Sequence, residues 1–367
     1  MKPKAAKDAT QTGRVTIYRI AQEAGVSAAT VSRVLTGNAK VAEAKRRNIA
    51  EAIARHNYRP NAAARSLKRQ NSRVVGFILP DISHPFYGSA FLGAENQAVE
   101  RGYSLLLGNT LNDRVGHVTH VESRLLEIML EKQVDGIVMM GGRVNETRVI
   151  PEHRDQLKHI LASVPLVTAC GRIRGVECWS VEIDEAHGIG LAVNYLAALG
   201  HRDIGFLGGV AGIEPTDTRW SCFRAALEDH GLAVRAPWCV ESGFGIEDGK
   251  SAMEAVLPMR GRPTALLCFN DLVAIGALYA ARKSGLRIPE DMSIVGIDNI
   301  ALSEFVFPGL TSVNLDAVRC GATAVNLIAD VLEGRQPNRR VMLQPDLIIR
   351  DSCRRLQESR TGQARPR

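Results

Sequence analysis

Between Val74 and Ile297, short apolar runs alternate with amphipathic stretches, and this alternation constrains the fold of the 367-residue chain more than any other feature. The runs fall at Val74–Leu79, Ser104–Leu107, Gly136–Met140, Leu166–Cys170, Ile204–Gly208, Ala265–Phe269 and Ser293–Ile297. Helical patterns lie between them, such as Leu191–Leu199, Trp220–Asp229 and Leu272–Ser284. The runs are short and almost wholly apolar, as strands covered on both faces must be. Such alternation predicts parallel sheets packed between helices. A faint internal repeat, "VVGFILPDI" against "DIGFLGGVA", predicts two lobes of this kind. Ligands of open parallel sheets bind beyond the carboxyl ends of the strands, so the loops there are the candidate site.

The first fifth of the chain differs in kind. Met1 to Arg73 carries 16 Lys and Arg against 4 Asp and Glu, a net +12, while the remainder carries 30 against 35, a net −5. A basic head on an acidic body predicts a polyanionic partner for the head alone. Residues 1–14 read as a disordered basic leader without the apolar core of a secretory signal. No apolar run reaches the roughly 18 residues that span a bilayer, so a cytoplasmic address is expected. Seven cysteines, an odd number without a CxxC pair, read as reduced small hydrophobes. No metal and no cofactor is expected.

The stretch "VTIYRIAQEAGVSAATVSRVL", residues 15–35, is two brief helices broken at Gly25. Thr16 is the expected cap of the first, whose inward face is Ile17, Ile20, Ala21 and Ala24. Gly25 supplies the tight turn. Ser27 caps the second helix, which buries Val31, Val34 and Leu35. A third helix, from about Val41 to Asn57, turns Ile49 and Ile53 inward and Lys45, Arg46, Arg47 and Arg55 outward. Together they form a helix-turn-helix unit. In such units the first turn of the second helix meets base edges in the major groove. Here that turn is Ala28, Ala29 and Thr30, with Arg33 one turn later. Ser27, Thr30 and Ser32 suit phosphates, and Arg33 suits a phosphate or a guanine edge. Thr16, Tyr18, Asn38 and Tyr58 are the expected contacts to the DNA backbone. The competing reading is a three-helix bundle with a solvated basic face.

"NYRPNAAARSLKRQ", residues 57–70, follows directly. Pro60 stops the third helix, and Asn61 is placed to cap a new one of about eight residues, marginal when isolated. Ala62, Ala63 and Ala64 let two copies pack closely. Leu67, apolar among Arg65, Lys68 and Arg69, suits either a wedge in the minor groove or an anchor for a linker.

Residues 15–70 closely resemble the head of the lactose-repressor (LacI/GalR) family of bacterial transcriptional regulators. The matching pieces are "VTIYRIAQEAGVS", "TVSRVL" and "NYRPNAAARSL", at their mutual spacing. By position, Ala28 and Ala29 resemble the family's operator-specifying pair, and Leu67 its hinge leucine, intercalated in pairs at the centre of a palindrome. Asn61, Ala64, Arg65 and Lys68 would join Leu67 at the minor groove. The resemblance continues to about residue 350 through "DISHPFYGSAFLGAE", "DGIVM", "YLAALGHRDIGFLGG", "CFNDLVAIGALYAARKSGLRIPEDMSIVGIDN" and "PGLTSV". It implies an all-α helix-turn-helix head and an α/β periplasmic-binding-protein-like body of two parallel-sheet lobes, with a small-molecule site between them.

The strand-end residues suit that implication. Phe86 and Tyr87 offer stacking faces, Arg219 a bidentate fork, Asp298 a carboxylate for paired hydroxyls, and Asn270 an amide donor and acceptor. Phe244 matches the position of an aromatic that covers the effector in relatives. The alternatives are that Phe86 and Phe244 are core, that Arg219 and Asp298 pair to close the lobes, and that Asp271 is a helix cap. Asp184 is a further candidate at the cleft rim. After the fourth run, Cys170, Gly171 or Arg172 stands where relatives often carry an Asp or a Gly-Arg pair.

The expected boundaries are a head at 15–60, a hinge helix and linker at 61–72, a body at 73–350 and a flexible tail at 351–367. Within the body, the first lobe is expected at about 73–173 plus 306–333, and the second at 174–305 plus 334–350. The expected function is a DNA-binding repressor controlled by a small molecule (sugar, sugar acid or nucleobase-like), working as a homodimer on palindromic DNA in the bacterial cytoplasm, on the nucleoid when DNA-bound. Two rival classes compete with this reading. A transport receptor shares the two-lobed body but neither the basic head nor the absence of a signal peptide. A nucleotide-dependent enzyme needs a motif that is missing: in "GFGIEDGKS" five residues, not four, separate Gly243 and Gly249, and "GFLGGVAG" does not give GxGxxG.

Overall fold

A computed structural model describes residues 15–35, 41–58, 71–111, 118–147 and 150–356. The chain divides into two compact units at Ser72–Arg73.

In the first unit, α1 (Ile17–Glu23), α2 (Ala28–Leu35) and α3 (Glu43–Arg55) close around Ile20, Ala21, Ala24, Val31, Ile49 and Ala52. The other expected inward positions, Ile17, Val34, Leu35 and Ile53, lie partly buried against them. Gly25, at φ +63°, makes the turn. The Val26 amide reaches back to the Ala21 carbonyl at 2.9 Å, which satisfies carbonyls left open at the end of α1. Ser27 caps α2 through its hydroxyl oxygen, 3.3 Å from the Thr30 amide. Thr16 does not cap with its side chain; only its carbonyl accepts, from the Arg19 and Ile20 amides. Arg55 points outward as expected, and Glu23 binds both Arg55 and His56 and ties α1 to the end of α3.

The second unit holds two six-stranded sheets. The first comprises β1 (Val74–Leu79), β2 (Ser104–Asn109), β3 (Gly136–Met140), β4 (Leu166–Ala169), β5 (Trp179–Ile183) and β11 (Arg340–Leu343), ordered β11-β5-β4-β3-β1-β2 and parallel throughout. The second comprises β6 (Ile204–Leu207), β7 (Cys239–Val240), β8 (Ala265–Cys268), β9 (Ser293–Ile297), β10 (Thr311–Asn314) and β12 (Asp346–Ile348), ordered β12-β10-β9-β8-β6-β7. Only its edge pair, β10 with β12, is antiparallel.

Both faces of each sheet are covered, which explains the unbroken apolar runs. In the first lobe, Val75, Phe77 and Leu79 pack toward α4 (Pro85–Glu100) and α12 (Ala317–Leu332), which follows the one-turn α11 (Leu302–Phe305). Ile78, between them, packs toward α5 (Val118–Glu131) and α6 (Pro151–Ser163). In the second lobe, α7 (Glu185–Ala198) and α8 (Glu214–Asp229) cover one face, and α9 (Ile246–Val256) and α10 (Asp271–Lys283) the other. Two helix pairs meet backbone to backbone. A Cβ on Gly321 of α12 would lie 1.8 Å from the Ala90 carbonyl oxygen of α4, and one on Gly249 of α9 would lie 2.1 Å from that of Val273.

The lobe boundaries differ from those expected. Residues 179–183 and 340–343 hydrogen-bond into the first sheet, whereas 311–314 lie in the second. The chain crosses between lobes three times: from β5 to α7, from β10 to α12, and from β11 to β12. Each crossing falls at a strand end, and the strands there, WSVEI, TSVN and RVML, mix polar and apolar residues in a way that does not distinguish one sheet from the other.

Candidate functional site

In the head, the first turn of α2 presents Ser27, Ala29 and Arg33 exposed, with Ala28, Thr30 and Ser32 half-buried. Ala28 leans on the three-helix core, so Ala29 is the more accessible of the expected reading pair. The Ser27 and Thr30 hydroxyls lie 2.9 Å apart and hold each other at the helix start. Tyr18 is 75% exposed and Thr16 is exposed, as backbone contacts require. Tyr58 instead packs partly against the core, with its amide bonded to the Ile53 carbonyl at 2.9 Å. Asn38, Asn61, Ala64, Arg65, Leu67 and Lys68 lie outside the described residues.

In the body, the strand-end candidates converge between the lobes. Phe86 and Tyr87 open α4 behind β1, where His84 caps the helix by accepting from the Phe86 amide at 3.3 Å. Phe86 packs against the apolar clusters of both lobes. Its ring centroid lies 5.6 Å from that of Tyr87, edge to face. The Tyr87 hydroxyl bonds Asn145, and burial raises its pKa. Asn145 belongs to a 3₁₀ turn, Gly142–Asn145, whose Arg143 makes a buried ion pair with Glu122 at 3.0 Å. Just beyond it the lobes touch: Glu146 makes a β-bridge with Ile213, and the Thr147 hydroxyl donates to the Gly212 carbonyl at 3.4 Å.

From the second lobe come Arg219, Phe244, Asn270 and Asp298. Phe244 stacks obliquely on Phe269 with centroids 4.9 Å apart. Its loop is pinned by Asp248, which accepts from the Phe244 and Gly245 amides at 3.1 and 2.9 Å. Asn270 does not stand open to a ligand as expected. Its Nδ2 donates to the Phe244 carbonyl at 2.9 Å and its Oδ1 accepts from the Val273 amide at 2.8 Å, capping α10. Asp271 is therefore not the cap. Its carboxylate is buried and ties together the Ile300 amide and the Ser303 and Ser312 hydroxyls. Asp184, proposed for the rim, caps α7 by accepting from the His187 amide at 3.0 Å.

Asp298 follows β9 with φ at +106°, a conformation disfavoured for any side chain. It is 7% exposed. Burial raises its pKa well above the usual carboxylate range, and the nearby Arg219 opposes that rise. Arg219, buried on α8, does not pair with Asp298 directly. Its Nε and Nη2 donate to the two oxygens of Glu185 at 3.0 and 2.9 Å, and its Nη1 donates to the Phe269 carbonyl at 2.6 Å. The Phe269 ring covers the guanidinium at 4.6 Å. Glu185, 34 residues away in sequence, is the residue that sequence reasoning missed. Of the three alternatives after β4, Cys170 lies at the site: the charges of Glu185 and Asp298 act on its thiol, which burial raises. Gly171 bonds back to β5 and Arg172 is exposed. Among the described residues no cluster of side chains could hold a metal ion.

The arrangement thus gathers aromatic rings of both lobes near the buried Arg219, Glu185 and Asp298, in a chain with a separate helix-turn-helix. Comparison with known proteins gives the same pairing. Residues 16–61 match the bacterial regulatory proteins of the lacI family, and residues 193–353 match the periplasmic binding protein-like domain. The chain is 37% identical over 336 residues to catabolite control protein A of Priestia megaterium, covering 91% of this chain and 97% of the relative. It is 34% identical over 340 residues to the HTH-type transcriptional repressor PurR of Pasteurella multocida, covering 92% and 98%. The Lac repressor dimer bound to operator and the anti-inducer ONPF superposes with a TM-score of 0.82 at 25% identity, covering 93% of this chain and 99% of that one. The regulator CelR in complex with cellobiose gives 0.67 at 28%, covering 92% and 100%.

Proposed function

The chain belongs to the lacI family of bacterial regulatory proteins and is a DNA-binding transcriptional repressor; from that premise we propose which residues read its operator and which sense its effector. Ala29, with Ala28 beside it, reads base edges in the major groove, and Arg33 extends the reading by one turn. Tyr18 and Thr16 hold phosphates. Two heads read two half-sites of a palindrome, as a twofold dimer requires. Leu67, among Arg65 and Lys68, enters the minor groove at the centre, with Asn61 capping and Ala64 packing the short helix that carries it.

The effector sits between Phe86 and Tyr87 of one lobe and Phe244, Arg219 and Asp298 of the other. The single observation that carries this reading is Phe86, which packs on the cores of both lobes. A ligand against it changes the closure of the lobes, and closure changes the spacing of the two copies of the hinge segment. The protein works in the cytoplasm, where DNA is; no described helix is long and apolar enough to cross a membrane. The relatives are regulators rather than enzymes. The test is selection of operator from random DNA by the purified chain, followed by release or tightening of that operator by candidate effectors. Retained operator binding in a chain beginning at Val74 would overturn the assignment of DNA binding to the head.

A further inference from the structure

The cation in the effector cleft is already paired. Arg219 presents its Nε/Nη2 edge, the edge that grips a carboxylate in a bidentate fork, to Glu185. Phe269 takes Nη1 through its carbonyl and covers one face of the guanidinium with its ring. Of five N–H groups, these bonds leave one on each terminal nitrogen. They suit a hydroxyl or carbonyl oxygen, and the positive charge that would draw an anion to them is already balanced by Glu185. His84 Nδ1 accepts from the Phe86 amide, as an unprotonated ring nitrogen does, and burial and then Arg219 lower its pKa against the pull of Asp81, so it adds no second cation. Asp298 remains as an acceptor, 7% exposed.

We propose that Glu185 is the specificity-determining residue of the cleft: by neutralising Arg219 it makes the site accept a hydroxyl-bearing effector without negative charge and reject anions such as sugar acids and sugar phosphates. The proposal rests on the effector reading of the cleft. A hydroxyl both accepts and donates, so it bridges the remaining N–H groups of Arg219 to the carboxylate of Asp298. An anion there would add a second negative charge beside Glu185 with one guanidinium to offset both, and would hold Asp298 in its protonated form, among side chains that are largely buried, where like charges are costly.

The full-length chain is screened by thermal shift against matched sets. Each contains a neutral monosaccharide or nucleoside, its amino derivative, and its carboxylate or phosphate derivative. The stabilising compound is expected among the uncharged or amino members, with its anionic derivative weaker by about 100-fold or more by calorimetry. An anionic member that binds more tightly than its neutral parent overturns the proposal and leaves the cleft as the effector site. No shift from any member, with operator binding intact, overturns the effector reading itself and the proposal with it. Glu185→Gln keeps the shape and frees the fork. It should narrow the gap between anion and neutral parent by about 10-fold or more. If Glu185→Gln melts cooperatively and discriminates as the wild type does, Glu185 is not the determinant. Should that variant fail to fold, the preference of the wild type still decides whether the site rejects anions.

Discussion

Asp271 Oδ1 accepts a 2.6 Å hydrogen bond from the Ser312 hydroxyl, joining the start of α10 to β10 beneath the cleft. Its Oδ2 accepts from Ser303 at 2.6 Å and from the Ile300 amide at 2.8 Å, which fixes the loop carrying Asp298. Burial raises the carboxyl pKa from 3.8 to about 6 against the pull of those donors. The folded state therefore holds the proton more tightly than the unfolded chain. The associated stability is full below pH ~4 and is lost as pH rises through ~6, by roughly 3 kcal/mol. Asp271→Asn, whose amide can donate to Ser312 while its oxygen serves Oδ2's partners, should remove this slope from urea midpoints measured between pH 4 and 7. Asp271→Ala leaves three buried donors without their acceptor and should cost about 3 kcal/mol at pH 7.

Two glycines predict opposite outcomes for the same change. Gly321→Ala places a methyl 1.8 Å from the Ala90 carbonyl and must force α12 away from α4. Urea unfolding should show a loss of about 2 kcal/mol or more. Gly190, in α7, has nothing within 4 Å of a Cβ. Gly190→Ala should raise stability by about 0.5–1 kcal/mol through helix propensity alone.

Exchange of Ala28 and Ala29 for a bulkier polar pair should change the half-site recovered from random DNA, at about 1–3 kcal/mol of discrimination per good base contact. An unchanged consensus would pass the reading role to Arg33. In wild type and variant alike, log affinity should fall steeply and linearly with log salt, as the +12 of the first 73 residues implies.

Asp298→Asn should abolish the effector response while operator binding without effector persists. The charges of Arg219, Glu185 and Asp271 all act on Asp298, and burial is the largest cause of its raised pKa. Hydroxyl donors from a ligand favour the ionised carboxylate, so binding releases a proton wherever the empty site holds one, and affinity rises with pH across that range. Calorimetry in buffers of different ionisation enthalpy should detect that proton in the wild type and not in the variant.

Leu67→Ala should reduce the bend in bound operator and weaken specific binding, leaving effector affinity of the free protein nearly unchanged. The unstacking that a wedge requires costs a few kcal/mol and is recovered only where bent DNA meets more protein. Equal hydrogen-exchange protection of the 61–69 amides with and without operator would identify a preformed linker instead.

Features fixed by local pattern were legible in the sequence. Unbroken apolar runs of four to six residues located most of the strands, and Gly25 marked the turn because its backbone needs a positive φ. Features fixed by pairing at a distance were not. Nothing near Glu185 reveals a partner 34 residues on, and the mixed sequence WSVEI of 179–183 does not say which sheet it joins. Asn270 shows the intermediate case. Its place at a strand end was predictable, but an amide that suits a ligand equally suits the backbone of Phe244 and Val273, and the fold uses it there.

The three crossings have a consequence for how the protein is made. β5 waits for its neighbour β11, more than 150 residues later, and β10 of the second sheet waits for β12. At about 5–20 residues per second, the ribosome takes roughly 8–30 s to supply the strand that covers the edge of β5. For that interval a nascent chain carries an open sheet edge beside a finished helical head. Binding competence at one end therefore precedes completion of the lobes that regulate it, and the unpaired edge of β5 is where a holding chaperone would be needed.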